Sequence, residues 1–377
     1  MESNFGASTP YSLGIEEEFQ LVDLETLELT PRVEAVLAVF EGQAVSDRVM
    51  PELLQSVVEV ATRIAVDVEE AVDDLADLRF RLGRAAAEHG AAIASAGTHP
   101  FSRSAEQLVT DRPRYRELSE RLGWLASRQP VFGLHVHVGV GSAAKATACA
   151  DGVRDRLPEL LALSANSPLR HGTPTGLAST RAQIALDLPR SGLPPALGSF
   201  EAFEAEIERG AAAGVFPDYT HVWWDVRPHP RLGTVEVRVF DAQTRLTSVA
   251  AIAALTQSLV ATIGSEFECG DVAPPAPAVV LEENRRRAAR NGLEALLVDP
   301  SDGTERTAAE TIRALVERCA PAADALGCAA QLQLVESILR DGTGADEQLR
   351  VHAETHDARI VTRRLVAETV SQQPLSV

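Results

Sequence analysis

The stretch GIEEEFQLV, residues 14–22, places Glu16, Glu17 and Glu18 between Ile15 and Phe19. Neighbouring like charges repel and glutamate is a poor strand former, yet the flanking residues alternate as a strand does. Successive side chains of a strand point to opposite faces. Leu13, Ile15, Phe19 and Leu21 therefore share one face, interrupted by Glu17, while Glu16, Glu18 and Gln20 share the other. The triplet is a pair on a polar face plus one odd member on an apolar face. There Glu17 needs an arginine partner, a wet edge or a neutral state.

The same pattern recurs. In VFGLHVHVGV (131–140) the apolar face is Leu134, Val136, Val138 and Val140, and His135 and His137 share the opposite one. In GTVEVRVFD (233–241) Val235, Val237 and Val239 oppose Glu236 and Arg238, and in HVWWDVRP (221–228) Val222, Trp224 and Val226 alternate with Trp223, Asp225 and Arg227. A single strand of this kind reads as the wet face of a half-exposed antiparallel sheet. Several together, carrying ExE, HxH and ExR, read as a concave sheet lined with carboxylates, imidazoles and arginines.

That inventory suits hard divalent cations and phosphate. Carboxylates favour Mg²⁺ or Mn²⁺, with histidine as an occasional nitrogen ligand. Arg227 and Arg238 can neutralise phosphoryl or carboxylate groups in bidentate fashion. Same-face residues stand about 7 Å apart along a strand, so long glutamates there can serve two adjacent ions. Glu52 and Glu59 in PELLQSVVEVAT (51–62) extend the carboxylate set, with a turn expected between them because SVVEVAT reads as a strand. Arg181 in LASTRAQIALDLP (177–189) is either a ligand-binding or a solvated arginine.

Helical periodicity is clear over 67–93, 246–264 and 306–340, the last broken near Pro321 and Gly327. Strands are expected around 12–22, 55–62, 131–140, 221–227 and 233–241. Helices and strands intersperse without βαβ spacing, so the fold class is α+β with a curved, mainly antiparallel sheet flanked by helices. The 377 residues are read as a single domain, with loops at 190–198 and 270–280 and frayed ends at 1–11 and 370–377.

With 35 basic against 54 acidic residues the formal charge is −19, a surface that disfavours nucleic acid and anionic membranes. No apolar run is expected to approach the ~18 residues of a membrane span. The N-terminus lacks the features of a signal peptide, and Cys149, Cys269, Cys319 and Cys328 show no CxxC spacing, which points to a reduced, cytoplasmic protein. There is no P-loop, no GxGxxG and no GxSxG elbow. ATP, if used, is held by metals and arginines.

Five segments together resemble one family: GIEEEFQLVD (14–23), ELLQSVVE (52–59), LSANSPLRHGTPTGLASTRA (163–182), WWDVRPHPRLGTVEVRVFDAQTRL (223–246) and ENRRRAARNGL (283–293). They look like the bacterial carboxylate–amine ligases of the type 2 glutamate–cysteine ligase family, from about residue 11 to 370. The resemblance implies a glutamine synthetase-like catalytic fold, ATP and Mg²⁺ (or Mn²⁺) as cofactors, and an amide formed from an amino-acid carboxylate and an amine through an acyl phosphate. Glutamate is the implied donor and a homodimer the implied assembly. Carried over residue by residue, Glu16, Glu18, Glu52, Glu59, His135 and Glu236 become metal ligands. His137 becomes a phosphate contact, joined in cofactor binding by Arg227 and Arg285, while Arg238 and Arg181 stabilise the transferring phosphoryl group. The family commonly has Trp where Arg286 stands and an aromatic residue where Asn291 stands, in a segment expected near the nucleotide or amine pocket. Two other readings remain: a catalytically weak paralogue that binds nucleotide or metabolite, and a cupin-type metalloenzyme, which would need a Glu soon after the second His.

Overall fold

The computed structural model describes residues 3–128 and 130–370. Seven strands form one sheet. They are β1 (Leu13–Asp23), β2 (Val49–Pro51), β3 (Val57–Ala61), β4 (Ala91–Ala94), β5 (Gly133–Gly139), β6 (Val226–His229) and β7 (Thr234–Asp241). Their order is β6-β7-β5-β1-β3-β2, β4 lies beside the Gln20–Asp23 end of β1, and every pairing is antiparallel. Three of the alternating segments, β7, β5 and β1, thus lie side by side within the sheet, and the segment that contains β6 supplies an edge. The segment expected as one strand over 221–227 divides. Trp223–Trp224 pairs in parallel with Ser191–Gly192, and β6 begins at Val226. The short strands β2 and β4 show too few residues for alternation to reveal them.

The register brings the polar residues side by side. Glu18 lies opposite Glu59, Glu16 opposite His135, His137 opposite Glu236, and Glu236 opposite Arg227. A β-bulge between Val237 and Phe240 of β7 puts one more residue on that strand than on β5. Bulges re-aim side chains beside functional sites, and Arg238 sits on this one.

The other face is buried. Leu13, Ile15, Phe19, Leu134, Val136, Val138, Val235 and Val237 are each at most 1% exposed, and helices cover them. Helix α1 (Val68–Glu88) starts where the Asp67 side chain accepts a hydrogen bond from the Glu70 amide, and buries the stripe Val68, Ala71, Val72, Leu75, Leu78 and Leu82. A six-residue helix, α2 (Thr180–Ala185), carries Arg181. Helix α3 (Leu246–Cys269) runs through the core. The expectation that no segment approaches a membrane span does not hold for it, because it is long and apolar enough, with a mean hydropathy of 1.7. Its apolar surface is spent on packing: 83% of its 18-residue apolar stretch is buried.

Helix α4 (Ala278–Asn291) begins inside the loop expected at 270–280, of which 271–277 lack regular structure, then come α5 (Ala308–Leu326), α6 (Ala329–Asp341), α7 (Gly344–Thr355) and α8 (Ala358–Val370). The break expected at Pro321 is absent, since α5 runs through it and ends at Gly327, whose φ is +74°. An interior proline costs about 3 kcal/mol. Here it sits on the exposed side, while Ile312, Leu315, Cys319 and Ala323 bury the other. Residues 4–11, expected to be loose, are tied down by backbone hydrogen bonds from Asn4 to Pro230, Gly6 to Val140 and Tyr11 to Gly139. Residues 371–377 lie outside the described residues.

Candidate active site

Glu16 is the hub of the polar face. Its Oε2 is 3.1 Å from His135 Nδ1 and its Oε1 is 3.4 Å from His137 Nε2, which is itself 4.0 Å from Glu236 Oε1. Two groups able to hold a cation follow, Glu16–Glu59–His135 and Glu16–His137–Glu236, each with ligand atoms within 4.8 Å of one another. Glu18 accepts a hydrogen bond of 2.6 Å from the Gly133 amide, and Glu52 accepts one of 3.0 Å from the Leu53 amide after the expected turn. All six residues assigned as ligands from the sequence converge on this face.

The charges there are not balanced. Burial and the neighbouring Glu52 charge push Glu18 up to about 7. Burial also raises Glu52, and burial with the charges of Glu16, Glu52 and Glu18 holds Glu59 well above the usual carboxylate range. Glu16 and Glu236 behave oppositely. Burial opposes their ionisation, but His137 and His135 keep Glu16 well below its ordinary value, and Arg227 and Arg238 do the same for Glu236. Burial and the Arg238 charge bring His135 down to about 4.

His137 tests whether a metal fits. Its Nδ1 lies 3.0 Å from Thr234 Oγ1, and its buried Nε2 has no hydrogen-bond partner. A neutral ring with its lone pair on Nε2 would face two carboxylates, an arrangement that only a cation relieves, whether a proton or a metal. Oxygen-rich donors with one imidazole each match the preferences of Mg²⁺ or Mn²⁺. The residues fit a dication.

The four arginines named from the sequence divide sharply. Arg238 donates through Nη1 to Glu236, with Nη1 also 3.4 Å from His135 Nδ1. Among the described residues its Nε and Nη2 have no partner. Arg181 stands behind it, giving Nη1 to the Val239 carbonyl and Nη2 to the Arg238 carbonyl, both at 3.1 Å. It thereby holds the bulge. Arg227 grips Glu236 through Nε at 2.6 Å and spends Nη1 on the carbonyls of Tyr219 and Val222. Arg285 of α4 pairs with Asp225 at 2.6 Å and is not brought to the carboxylates. Arg286 is exposed and pairs with Glu283, and Asn291 is exposed as well, so both departures from the family pattern point to solvent.

Sequence reasoning gave no role to Asp225 and missed several other supporting residues. Asp225 binds Arg285 with its side chain and takes the Arg238 amide on its carbonyl at 2.7 Å. Asp241 accepts from the Asn166 amide, Ser167 Oγ and Ser179 Oγ. Ser179 caps α2, and Ser167 Oγ receives the Arg181 amide, so this buried knot sets the position of Arg181. Glu17 has the arginine it needed. Arg79 binds it through Nε at 2.9 Å and Nη2 at 2.6 Å, and Ser95 Oγ adds a third bond at 2.9 Å. A signal for Arg79 existed, because it falls at a buried position of the α1 stripe between Leu78 and Leu82.

A sequence profile of glutamate–cysteine ligase family 2 matches residues 12–368. A Rubrobacter xylanophilus protein, provisionally named glutamate–cysteine ligase 2-3, is 46% identical over 369 residues, covering 98% of this chain and all of that one. Among solved structures, the glutamate–cysteine ligase of Francisella tularensis in complex with AMP superposes with a TM-score of 0.74 at 13% identity, covering 98% of this chain and 91% of that one. A bifunctional glutathione synthetase from Pasteurella multocida gives 0.69 at 16% identity, over 96% of this chain and 52% of that one.

Proposed function

The chain belongs to glutamate–cysteine ligase family 2, a family of ligases that form C–N bonds, and on that premise we propose that it is an ATP-dependent carboxylate–amine ligase acting through an acyl phosphate. The observation that carries this reading is Glu16, shared between two carboxylate–histidine groups on adjoining strands with Arg238 open beside them. Glu16, Glu59 and His135 would hold one Mg²⁺, and Glu16, His137 and Glu236 a second, with Glu18 and Glu52 closing the carboxylate ring. Bound there, the metal supplies charge neutralisation for the ATP phosphates. The assignment of His137 thus moves from phosphate contact to metal ligand.

The chain's own residues then position and stabilise. An oxygen of the donor carboxylate, glutamate by family, attacks the γ-phosphorus and ADP leaves. Arg238 stabilises the transferring phosphoryl group with its free donors. Arg181 and Asp225 fix the backbone from which it projects, and Arg227 fixes Glu236. The amine nitrogen next attacks the acyl carbon, the C–O bond to phosphate breaks, and one proton leaves the nitrogen. No covalent enzyme intermediate is needed.

The test is ADP release from purified protein with Mg²⁺, ATP, glutamate and a panel of amines led by cysteine, followed by mass spectrometry. A product weighing donor plus amine minus water is the expected result. Protein that releases no ADP with any donor–amine pair overturns the proposal.

A further inference from the structure

Three glycines stand on the polar face of β1 and β5, and the protein itself accounts for two of them. A Cβ on Gly133 would lie 2.5 Å from Arg181 Nη2, and one on Gly139 would lie 2.7 Å from Ser8 Oγ and 3.0 Å from Ser12 Oγ. Gly14 on β1 is different. Its chain neighbours aside, no heavy atom lies within 4 Å of the place its Cβ would take, and its φ is outside the left-handed region. A side chain would therefore fit the folded chain without strain. Glycine weakens a strand interior and marks places where a ligand or another backbone comes close. No backbone comes that close to Gly14, which leaves a ligand.

The position of Gly14 on the face says which ligand. Along β1 the face runs Glu18, Glu16, Gly14, and across the sheet Glu16 meets His135 and Gly14 meets His137. Arg238 stands at the His135 end, its Nη1 3.4 Å from His135 Nδ1. Gly14 lies at the other end, beside the Glu16–His137–Glu236 group. On the ligase reading, from which this inference proceeds, Arg238 marks the transferring phosphoryl group, with the donor carboxylate and the amine beside it. The attacking and leaving oxygens of such a transfer lie in line, so ADP leaves on the side away from the donor, past His137 and over Gly14. Beyond Gly14 the Ser8 and Ser12 hydroxyls flank Gly139 on the same face. Hydroxyls both donate and accept hydrogen bonds, which suits the diol of a sugar.

We propose that the bare Cα of Gly14 seats the ribose of ATP, with Ser8 and Ser12 facing its hydroxyls. Gly14 is then a specificity-determining residue. A side chain there leaves the metal and phosphate positions intact and takes the space of the nucleoside alone.

The experiment compares the full chain with Gly14→Ala and Gly14→Val, using Mg²⁺, Mg·ATP and Mg·tripolyphosphate as probes in calorimetry. Gly14→Val raises the Tm of the metal-free protein, because a β-branched residue suits a strand and meets no clash. It leaves the affinities for Mg²⁺ and Mg·tripolyphosphate unchanged and weakens Mg·ATP by about tenfold or more, with Gly14→Ala weakening it less. Mg·ATP bound equally by Gly14→Val and wild type overturns the proposal. So does an equal loss of Mg·tripolyphosphate, which would put phosphate over Gly14, and so does a lowered Tm, which would mean that the space is not open. Wild type that binds no Mg·ATP refutes the ligase reading and this inference with it. Wild type that ligates, with Gly14→Val binding Mg·ATP as tightly, refutes this inference alone.

Discussion

Glu17 and its two neighbours leave the same strand in opposite directions and meet opposite fates. Glu17 enters the core, 0% exposed, and finds a guanidinium and a serine, and among the described residues Arg79 is paired with no second carboxylate. Glu16 and Glu18 enter a half-open face with Glu52, Glu59 and Glu236, where negative charge exceeds what Arg238 and the histidines offset. A buried charge with every hydrogen bond satisfied belongs to the architecture. A cluster that burial and repulsion drive toward protonation is one whose partner arrives from outside. On the proposed function, chemistry lies where the charge is incomplete, not where it is deepest.

The largest effect should come from the complete side. Glu17→Ala strands Arg79 in the core and is expected to cost about 3–5 kcal/mol, read by urea denaturation. The double variant Glu17→Met with Arg79→Met should recover most of that loss, because matched removal avoids an orphaned charge. A cost below about 1 kcal/mol for Glu17→Ala would mean that the Gln243 and Thr244 carbonyls suffice for Arg79, and the contrast would fail.

The incomplete side should answer in the opposite sense. Glu59→Gln removes one repelling charge, so the metal-free protein should become slightly more stable. Its Mg²⁺ affinity should fall about 10-fold or more, and Glu16→Ala, lying in both groups, should abolish the rise in Tm that Mg²⁺ gives the wild type. An unchanged Mg²⁺ shift in Glu16→Ala would remove the hub from the metal site.

pH sharpens the distinction. Glu18 is raised to about 7 and Glu59 and Glu52 are raised also, so between the ordinary carboxylate range and those values the folded chain binds more protons than the unfolded one. Stability from such groups is present at low pH and lost as pH climbs through the folded values. His99, lowered to about 3 by burial, works the other way, but only below about 6.5. Metal-free stability should therefore fall as pH rises from about 6.5 through 7. Mg²⁺ should suppress the fall and bind with proton release, measured by calorimetry in two buffers. A Mg²⁺ affinity that is flat across this window would contradict the raised carboxylates.

What could be read beforehand followed from periodicity. The alternation of β1, β5 and β7 places Glu16, Glu18, His135, His137, Glu236 and Arg238 on one face without any knowledge of pairing, and the α1 stripe survives intact. Partnerships needed three dimensions. Arg79 and Glu17 are 62 residues apart, and only the packing of α1 on β1 joins them. The bulge that commits Arg181 to the Arg238 and Val239 carbonyls leaves no mark in an alternating string. Arg227 and Arg285 show the cost of that blindness. An arginine beside an acidic motif reads as a ligand-binding group, yet here each is consumed by a carboxylate of the protein itself.

Thr234 should give the smallest and most diagnostic effect. It lies opposite Gly139 and diagonal to His137 across β7 and β5, and its hydroxyl is 3.0 Å from His137 Nδ1. A hydroxyl accepting from Nδ1–H sets the tautomer that leaves Nε2 free for a metal, and outer partners of this kind tune affinity. Thr234→Val preserves shape and strand propensity while removing the hydroxyl, so overall stability should change by less than about 1 kcal/mol. Mg²⁺ affinity should still fall several-fold, and Thr234→Ser should restore it. Nitrogen chemical shifts of His137 in the metal-free protein should show the proton moving from Nδ1 to a mixture of both nitrogens in the valine variant. If the tautomer stays put and Mg²⁺ affinity holds, Nε2 is not aimed by Thr234, and the second cation group loses its imidazole.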